Sequence, residues 1–358
     1  MKIGILTHHY VKNFGAYMQA KALLSVITEL YPDVYVEFID YRVKAHEKAN
    51  AIHFFGFKPK RGDTVYGYIE KIKLFFTHYR AENSLPRSVR VESAEDINKL
   101  NYNLIIVGSD EVWNFRNIAY SPIKFGEGLK CYHVAYSASV GGSTAEDKHI
   151  PAAVKQGIKG FQKIAVRDEK TEELVASLGG CKAVRTLDPV FLYDYKLETR
   201  DKIKEITEKP YILIYDCRLE PKQVKQLTNF AKVNEYQILG AGEYRKWYAS
   251  TLTTNITPYE WAYLFKNAAA VVTGTFHGTS FAIKYNRPFV SYLTEQNRIN
   301  KVGSLLAEFG LEDRIVNDRS DIAKELEKPI DYKVVNGIIG ERKESSISYI
   351  RRCIDEAE

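Results

Sequence analysis

The stretch 268–293 constrains the fold of this 358-residue chain more than any other. Its pattern predicts a short buried strand over 269–273, a polar turn over 274–277, a helix that begins near Gly278 and a second strand from Pro288. A strand, a helix and a strand in this order build a parallel sheet, and the turn lies at the carboxyl edge, where open α/β domains bind ligands. The stretch therefore predicts a ligand-binding turn.

The residues of this turn are suited to an anion. Backbone N–H groups at the start of a helix, beside the hydroxyls of Thr279 and Ser280, favour negative charge. His277 lies at the same corner, where a histidine can stay protonated against an anion or transfer a proton near neutral pH. A lone histidine is usually structural, but this position favours function. We predict substrate binding at Gly278, Thr279 and Ser280, with Arg298 as a further cationic candidate.

A second polar cluster follows the apolar strand predicted over 102–107. An aspartate at a strand end, here Asp110, can accept a proton from a hydroxyl, and a neighbouring tryptophan, here Trp113, can stack on a sugar face. Asn114 completes this cluster as a predicted substrate-binding residue.

Two further clusters end predicted strands. Asn13 and Gly15 follow His8 and His9 at the start of a predicted helix, where a glycine lets the backbone approach a ligand, although a structural turn explains the pattern equally well. Arg167 follows the strand over 163–166 and can bind a phosphate or carboxylate through two hydrogen bonds, or form an ordinary ion pair with its neighbour.

Composition limits the class of protein. A hydrophobic content of 45% is that of a globular chain, and no apolar run approaches the roughly 20 residues of a membrane span. The start of the chain does not resemble a signal peptide, so we expect a cytoplasmic protein. The four cysteines are far apart without a Cys-x-x-Cys pair, which predicts reduced thiols and no metal site. The sequence contains no dinucleotide-binding or P-loop motif.

The positive charge is concentrated in one segment. Between Arg42 and Arg90 there are eleven Lys or Arg against four Asp or Glu, which leaves the rest of the chain near neutral. Within this segment one helix face carries apolar residues at spacings of four and three: Val65, Ile69, Ile72, Phe76 and Tyr79.

Two interpretations of this helix stay open. It can dock on the first domain with a solvated basic face. With Lys71, Lys73, Arg80 and the neighbouring segment 54–61, it can also lie on an anionic membrane surface or hold a lipid-diphosphate acceptor. The segment matches no motif that reads nucleic acid, so we expect no nucleic-acid partner.

Strands alternate with helices along the whole chain, which predicts an α/β protein with doubly wound, mainly parallel sheets. We predict an N-terminal α/β domain over 1–200 on the acceptor side, with a basic helical insertion at about 43–98. A C-terminal α/β domain over 201–340 would bind the donor, and a terminal helix over 341–358 would pack back on the first domain. Two Rossmann-like domains facing a cleft in this way describe a glycosyltransferase-B-like architecture.

Several motifs, in this order and spacing, resemble the polysaccharide pyruvyl transferase family over residues 2 to about 315. They are Lys2-Ile-Gly-Ile-Leu with Asn13-Phe-Gly-Ala and Gln19, Ile105-Ile-Val-Gly-Ser-Asp110-Glu-Val-Trp113-Asn114, Ala165-Val-Arg167-Asp168, Asp188-Pro-Val, and Thr275-Phe-His277-Gly278.

The resemblance implies transfer of a pyruvyl group from phosphoenolpyruvate to two sugar hydroxyls as a ketal, usually in surface-polysaccharide assembly. By the matching motifs, His277 and Arg167 would lie at the donor site. Family members whose donor site is best understood tend to carry an arginine two positions before the histidine. This chain has Thr275 there and is similar to the branch with a Ser/Thr-Phe-His-Gly motif.

The resulting hypothesis assigns His277 as general acid or phosphate partner and Asp110 as the base for a hydroxyl of a glycan or lipid-linked saccharide. The donor is a substrate, and no separate cofactor is expected. Two alternatives stay open, a glycosyltransferase that uses a nucleotide sugar and a non-catalytic glycan-binding relative.

Overall fold

The computed structural model describes residues 1–56 and 65–358, so residues 57–61 of the basic segment considered above lie outside the described residues. By packing, the chain divides into two compact units. Unit 1 comprises Met1–His53, Glu82–Asp194 and Ile339–Glu358, and unit 2 comprises Phe54–Ala81 and Tyr195–Ile338.

Unit 1 is built on a six-stranded parallel sheet with the order β2-β1-β3-β4-β5-β6. The strands are β1 Lys2–Leu6, β2 Tyr35–Phe38, β3 Leu104–Asp110, β4 Tyr132–Ala138, β5 Lys163–Val166 and β6 Ala183–Arg185. The chain leaves β1 toward β2 on one side and returns to β3 on the other, so the strand order reverses between β1 and β3. Ligands of open α/β sheets bind outside the carboxyl ends of the strands at such a reversal, which we call the switch point.

Helices cover the sheet of unit 1 because its inner strands are apolar along nearly their whole length, as expected for a parallel sheet buried on both faces. The helices are α1 Phe14–Leu30, α2 Lys44–Phe55, α4 Ala94–Lys99, α5 Ala152–Ile158 and α6 Glu169–Ser177.

Unit 2 repeats the same plan on a five-stranded parallel sheet, with the order β11-β10-β9-β7-β8. Its switch point lies between β7 and β9, because the chain passes from β7 to β8 on one side and returns to β9 on the other. The strands are β7 Tyr211–Tyr215, β8 Gln237–Gly240, β9 Ala270–Thr273, β10 Phe289–Tyr292 and β11 Ile315–Val316.

The helices of unit 2 come from two parts of the chain. They are α3 Val65–Asn83, α7 Asp201–Thr207, α8 Pro221–Val233, α9 Pro258–Asn267, α10 Phe276–Lys284, α11 Gln296–Glu308 and α12 Ile322–Glu327. The last helix, α13 Tyr332–Asp355, begins in unit 2 and ends in unit 1. There Tyr349 donates a hydrogen bond to the carbonyl of Ala135 in β4, at 2.8 Å.

The middle of the basic segment belongs to unit 2, although the sequence predicted an insertion in the N-terminal domain. The hydroxyl of Thr77 in α3 donates to the side-chain oxygen of Asn255 at 2.7 Å, and the rings of Tyr66 and Tyr244 are in edge contact. These contacts place α3 on unit 2. The sequence pattern does not reveal them, because the residues in contact are far apart in the chain.

Candidate functional site

The carboxyl edge of the unit 1 sheet collects the polar residues that follow β1, β3 and β5. These strands are parallel and lie within four neighbouring positions of the sheet, so their ends meet at one edge. His8 follows β1, Asp110 ends β3 and Arg167 follows β5. His8 and Asp110 thus lie on the two strands that flank the switch point.

The backbone at the end of β3 has an uncommon conformation. Asp110 has a φ of 79°, in a region that residues other than glycine seldom adopt. Such positions cluster at functional sites, because the surrounding structure must hold them in place. The carbonyl of Asp110 accepts a hydrogen bond from the N–H of Ser139 at 3.0 Å, which ties this end to the loop after β4. The side chain of Asp110 is 17% exposed and so is within reach of a substrate.

Arg167 lies between two carboxylates. Its Nη1 is 3.0 Å from Oδ2 of Asp188 and 3.6 Å from Oδ1 of Asp110. Burial opposes the charge of the guanidinium, but Asp188 and Asp110 outweigh that effect and raise the pKa of Arg167 above its ordinary value. The positive charge of Arg167 is therefore already balanced inside unit 1. Sequence reasoning assigned no chemistry to Asp188, which the structure brings into this cluster.

Lys124 is a second residue that sequence reasoning missed. It lies in a 3₁₀ turn, Pro122–Phe125, and is completely buried. Its Nζ donates to the carbonyl of Ala119 and lies 3.2 Å from Nδ1 of His8. Burial lowers the pKa of Lys124 to about 7, against the opposing effect of the Asp110 carboxylate.

His8 is held as a neutral ring by the same surroundings. Burial, and then the charge of Lys124, lower its pKa to about 3. Its Nε2 lies 3.3 Å from the carbonyl of Glu111 and its Nδ1 faces Lys124, so the neutral ring donates from Nε2 and accepts at Nδ1. The switch point of unit 1 thus combines a partly exposed carboxylate, a buried amine and a neutral imidazole. The histidine pair after β1 was the one sequence signal for this network.

Trp113 does not have the predicted role. Its indole is completely buried, stacks on Phe125 with ring centroids 5.9 Å apart, and donates from Nε1 to the carbonyl of Lys124 at 2.8 Å. The prediction that it stacks on a sugar face is therefore wrong, because the core of unit 1 covers both the ring and its N–H group.

The other predicted residues of unit 1 make local structural contacts. Asn13 caps α1, since its side-chain oxygen accepts from the N–H of Ala16 at 3.1 Å. Gly15 is buried in the first turn of α1. Asn114 donates to Oε2 of Glu111 at 3.0 Å and accepts from the hydroxyl of Ser143 at 3.1 Å. Asn114 therefore steadies the loop after β3 near Asp110.

In unit 2, the turn between β9 and α10 differs from the prediction in where the helix begins. The helix starts at Phe276, because Thr275 is its N-cap and accepts a hydrogen bond from the N–H of Gly278 at 3.0 Å. His277 consequently occupies the second position of the helix, at its positive end. Gly278 is required there, since a Cβ atom would lie 2.1 Å from Oγ1 of Thr273.

The hydroxyls of Thr279 and Ser280 are used inside the fold, so the prediction that they bind substrate is wrong. Thr279 donates to the carbonyl of Thr275 at 2.9 Å, and Ser280 donates to the carbonyl of Phe276 at 3.0 Å. Both side chains are completely buried. His277 and the N-terminal end of α10 remain candidates for binding an anion.

Arg298 lies at the switch point of unit 2. Its Nη1 donates to the carbonyl of Gly274 at 2.8 Å and to the carbonyl of Asp216 at 3.1 Å, and these two residues follow β9 and β7. A Cβ atom at position 274 would lie 2.5 Å from the Asp216 carbonyl, so only glycine fits. Its guanidinium also lies 3.5 Å from Oδ2 of Asp216 and 3.7 Å from Oε2 of Glu295, and its side chain is 37% exposed. Arg298 is thus a partly exposed cation fixed on the same turn that leads to His277.

Glu243 lies near this edge and was not found from the sequence. It follows β8, and its carboxylate accepts a hydrogen bond from the hydroxyl of Tyr248. Burial raises the pKa of Glu243 to about 7. A perturbed acid at a strand end is a candidate functional group, although structural networks produce such shifts too.

Among residues 1–56 and 65–358, no group of three or more His, Cys, Asp or Glu is placed to hold a metal ion. All four cysteines are free, with Cys217 and Cys353 buried.

The model of the polysaccharide pyruvyl transferase family matches residues 13–296, which is most of the chain. The chain belongs to this family. Its members are transferases, so the chain is an enzyme of this class, as the sequence motifs predicted. A search of curated proteins found no matching relative.

Solved structures place this chain in a known fold class. UDP-GlcNAc 2-epimerase from Methanocaldococcus jannaschii is 13% identical, with a TM-score of 0.54 and coverage of 99% of this chain and 100% of that chain. The epimerase from Neisseria meningitidis, bound to UDP-GlcNAc, is 10% identical, with a TM-score of 0.54 and the same coverage. A glycosyltransferase from Streptomyces sp. SF2575, in complex with thymidine diphosphate, is 10% identical, with a TM-score of 0.52 and coverage of 98% and 99%.

These similarities concern the fold alone. Together with the two parallel sheets, they confirm the predicted α/β class with two doubly wound, Rossmann-like domains of the glycosyltransferase-B type.

Proposed function

We propose that this family member transfers a pyruvyl group from phosphoenolpyruvate to two hydroxyls of a sugar, forming a ketal, in surface-polysaccharide biosynthesis. Membership of the family supports the reaction type. The observation that carries the donor assignment is the arrangement at the start of α10, where His277 occupies the positive end of the helix and Arg298 is bonded to the preceding turn.

Phosphoenolpyruvate carries a phosphate and a carboxylate, so its site needs concentrated positive charge. The family tends to supply an arginine two positions before the histidine, where this chain has the neutral cap Thr275. In the proposal, Arg298 supplies this charge from α11, because its guanidinium already lies on Gly274, one residue before Thr275.

The proposed reaction converts phosphoenolpyruvate and two sugar hydroxyls to a ketal and phosphate, and it needs no further reactant. His277 donates a proton to the methylene carbon of phosphoenolpyruvate, which becomes a methyl group and leaves the adjacent carbon electrophilic. One sugar hydroxyl attacks that carbon, and the second displaces phosphate as the ketal closes. The two hydroxyl protons pass to the base and to the departing phosphate. Proton transfer by a positioned side chain contributes about 100- to 10,000-fold to such a step.

Asp110 is the proposed base for the acceptor hydroxyl. Its side chain is partly exposed, and Nη1 of Arg167 lies 3.6 Å from its Oδ1. Because the side chain of Arg167 is buried between Asp188 and Asp110, whereas that of Arg298 is 37% exposed, we assign Arg167 to the positioning of Asp110 and not to the binding of phosphate.

The proposed acceptor is a glycan or a lipid-linked saccharide, and phosphoenolpyruvate is a substrate, so the reaction needs no separate cofactor. The proposal locates the enzyme in the cytoplasm, at the inner surface of the membrane where lipid-linked saccharides are assembled.

The test is to incubate the protein with phosphoenolpyruvate and a panel of glycans, and to measure phosphate release and the mass of the product. We expect His277→Ala to lower kcat by about 100-fold or more. His149→Ala is the matched control, since His149 is an exposed histidine. Absence of phosphate release with every acceptor, or equal rates for His277→Ala and wild type, would reject the mechanism.

A glycosyltransferase that uses a nucleotide sugar is the second candidate. The observation in its favour is the switch point at Gly274 and Asp216, since open α/β sheets bind nucleotides at such positions. A thermal-shift comparison separates the two, because a nucleoside diphosphate would raise the Tm where phosphoenolpyruvate does not. Glycan binding without turnover of either donor would instead indicate a non-catalytic relative.

A further inference from the structure

Helix α3 turns its apolar stripe toward solvent. Residues at positions i, i+4, i+7, i+11 and i+14 share one face of a helix, and in α3 all five are apolar. Four of the five are between 46% and 70% exposed: Val65, Ile69, Phe76 and Tyr79. The stripe is therefore not the surface by which α3 packs against the protein.

The side of α3 that does pack against the protein is less apolar than the side it exposes. The buried residues of that side are Glu70, Leu74, His78 and Glu82. An amphipathic helix of a globular protein ordinarily orients its apolar stripe to the core. The orientation of α3 is the reverse, and its stripe extends for about 21 Å along the helix.

The charges of α3 add a second observation. Its two acidic residues, Glu70 and Glu82, are buried, whereas its exposed charged residues are the basic Lys73 and Arg80. On a helical projection Lys73 and Arg80 lie beside the stripe on the same side, about 60° to 80° from Val65. Lys73 also bonds Glu70 at 2.6 Å, which holds its stem along the helix. The face that α3 presents to solvent is therefore apolar with a positive border.

We propose that α3 is a membrane-docking helix that lies in the interface of a bilayer rich in anionic lipid. The apolar stripe would enter the boundary between headgroups and acyl chains, while Lys73 and Arg80 would contact anionic headgroups. The charge pattern favours this occupant over a second copy of the chain, because two positive borders would repel each other. Among the described residues, no helix is long and apolar enough to cross a membrane.

Docking of this kind would bring the enzyme to the lipid-linked acceptor named in the proposed function. The binding itself does not depend on that function, because it needs neither donor nor acceptor. It is measured with vesicles alone, whereas the pyruvyl transfer reaction is measured on soluble glycans without vesicles. Failure of one proposal therefore leaves the other intact.

The experiment is flotation of the full chain with vesicles of phosphatidylglycerol and phosphatidylethanolamine, and with vesicles of phosphatidylcholine. We expect wild type to float with the anionic vesicles, and less so at high salt. Ile69→Ser combined with Phe76→Ser should weaken partitioning about tenfold or more, because each side chain loses its burial in lipid. Lys73→Gln with Arg80→Gln should weaken binding to the anionic vesicles and leave binding to phosphatidylcholine unchanged.

Matched controls replace exposed residues elsewhere. Val233→Ser with Val334→Ser removes two exposed apolar side chains from other helices, and Lys99→Gln with Lys204→Gln removes the same charge from other exposed sites. The first pair should float like wild type, and the second should bind more tightly than the Lys73 and Arg80 variant. Circular dichroism melts show that every variant is folded.

Three results would overturn the proposal. The first is a wild-type chain that does not float with anionic vesicles. The second is a stripe variant that floats as well as the Val233 and Val334 control. The third is a dimer in light scattering that the stripe variant separates into monomers while neither protein binds vesicles, since a second copy would then cover the stripe.

Discussion

The side-chain nitrogen of Lys124 lies 3.2 Å from Nδ1 of His8, inside the core of unit 1 and close to the Asp110 carboxylate. A buried lysine is rare unless it is paired, because the interior disfavours its charged form. Here the amine donates to a neutral imidazole and to a backbone carbonyl, so its hydrogen bonds are satisfied without a carboxylate in direct contact. The arrangement makes the stability of unit 1 depend on pH.

Lys124→Met should change that dependence. In the folded state the pKa of Lys124 falls from 10.5 to about 7, so between these values the unfolded chain binds a proton that the folded chain has released. The wild-type free energy of unfolding should therefore rise with pH, relative to Lys124→Met, by about 1.4 kcal/mol for each pH unit in this window. Urea unfolding at pH 7, 8 and 9 measures the difference.

Lys99→Gln is the control for this experiment, because Lys99 is exposed and has no buried amine to titrate. Parallel curves for wild type and Lys124→Met across the three pH values would show that Lys124 keeps an ordinary pKa in the folded protein.

Asp188→Asn should destabilise unit 1. Asparagine can still accept the hydrogen bond from the N–H of Val190, but it leaves the buried guanidinium of Arg167 with one carboxylate fewer. Breaking a buried ion pair on one side costs about 3 kcal/mol or more. The free energy of unfolding, measured in urea at pH 7, should fall by about this amount. Proton transfer by Asp110 should slow, because Arg167 loses the carboxylate that holds it beside Asp110. The exposed pair of Asp201 and Lys204 gives the control, Asp201→Asn, which should be without measurable effect. Equal stability of the two variants would contradict the role of Asp188.

Glu243→Gln should have the opposite dependence on pH from Lys124→Met. The folded pKa of Glu243 rises from 4.5 to about 7, so in this window the folded chain holds a proton that the unfolded chain has released. Wild type should lose about 1.4 kcal/mol of stability for each pH unit from 4.5 to 7, relative to Glu243→Gln, and the difference should then stay constant. Urea unfolding at pH 5, 6, 7 and 8 tests this. A difference that does not change between pH 5 and 7 would show that the carboxyl is ionised throughout.

The sheets could be predicted from the sequence because buried parallel strands are continuous apolar runs. The strand predicted over 163–166 has the bounds of β5, and the strand predicted over 269–273 corresponds to β9, which begins one residue later. The stretch over 184–191 does not form one strand, because Pro189 cannot donate to a sheet ladder, and the structure has the short β6 followed by a 3₁₀ turn. Strand order, which places Asp110 beside His8 and Arg167, follows no local pattern.

The candidate site was predictable only where a residue follows a strand. Asp110 ends β3, Arg167 follows β5, and His277 lies four residues after β9, and polar residues in such positions indicate the sheet edge. Lys124 could not be found this way, since its burial depends on packing between distant segments. Thr279 and Ser280 were misread for a related reason, because a hydroxyl in a helix can bond to the carbonyl four residues earlier, which a sequence does not reveal.

Substituting alanine for Gly278, which is closely packed, and for Gly337, which is not, should change the stability of the protein in opposite directions. Gly278→Ala places a Cβ atom 2.1 Å from Oγ1 of Thr273, at the turn that carries His277. Overpacking of this kind costs about 1–3 kcal/mol, so the variant should lower both the Tm and the rate of phosphate release. Gly337→Ala, in α13, meets no atom within 4 Å and should stabilise the chain by about 0.5–1 kcal/mol.

A double variant tests whether the contact with Thr273 causes the loss of stability in Gly278→Ala. Thr273→Ala removes the oxygen that the new methyl group would strike, so combining it with Gly278→Ala should cost less than the sum of the two single changes. Additive losses would place the damage elsewhere, and a Gly278→Ala variant as stable as Gly337→Ala would show that the turn before α10 relaxes freely. Additive losses would mean that the contact with Thr273 does not cause the loss of stability. A stable Gly278→Ala variant would mean that Gly278 does not fix the position of His277 at the start of α10.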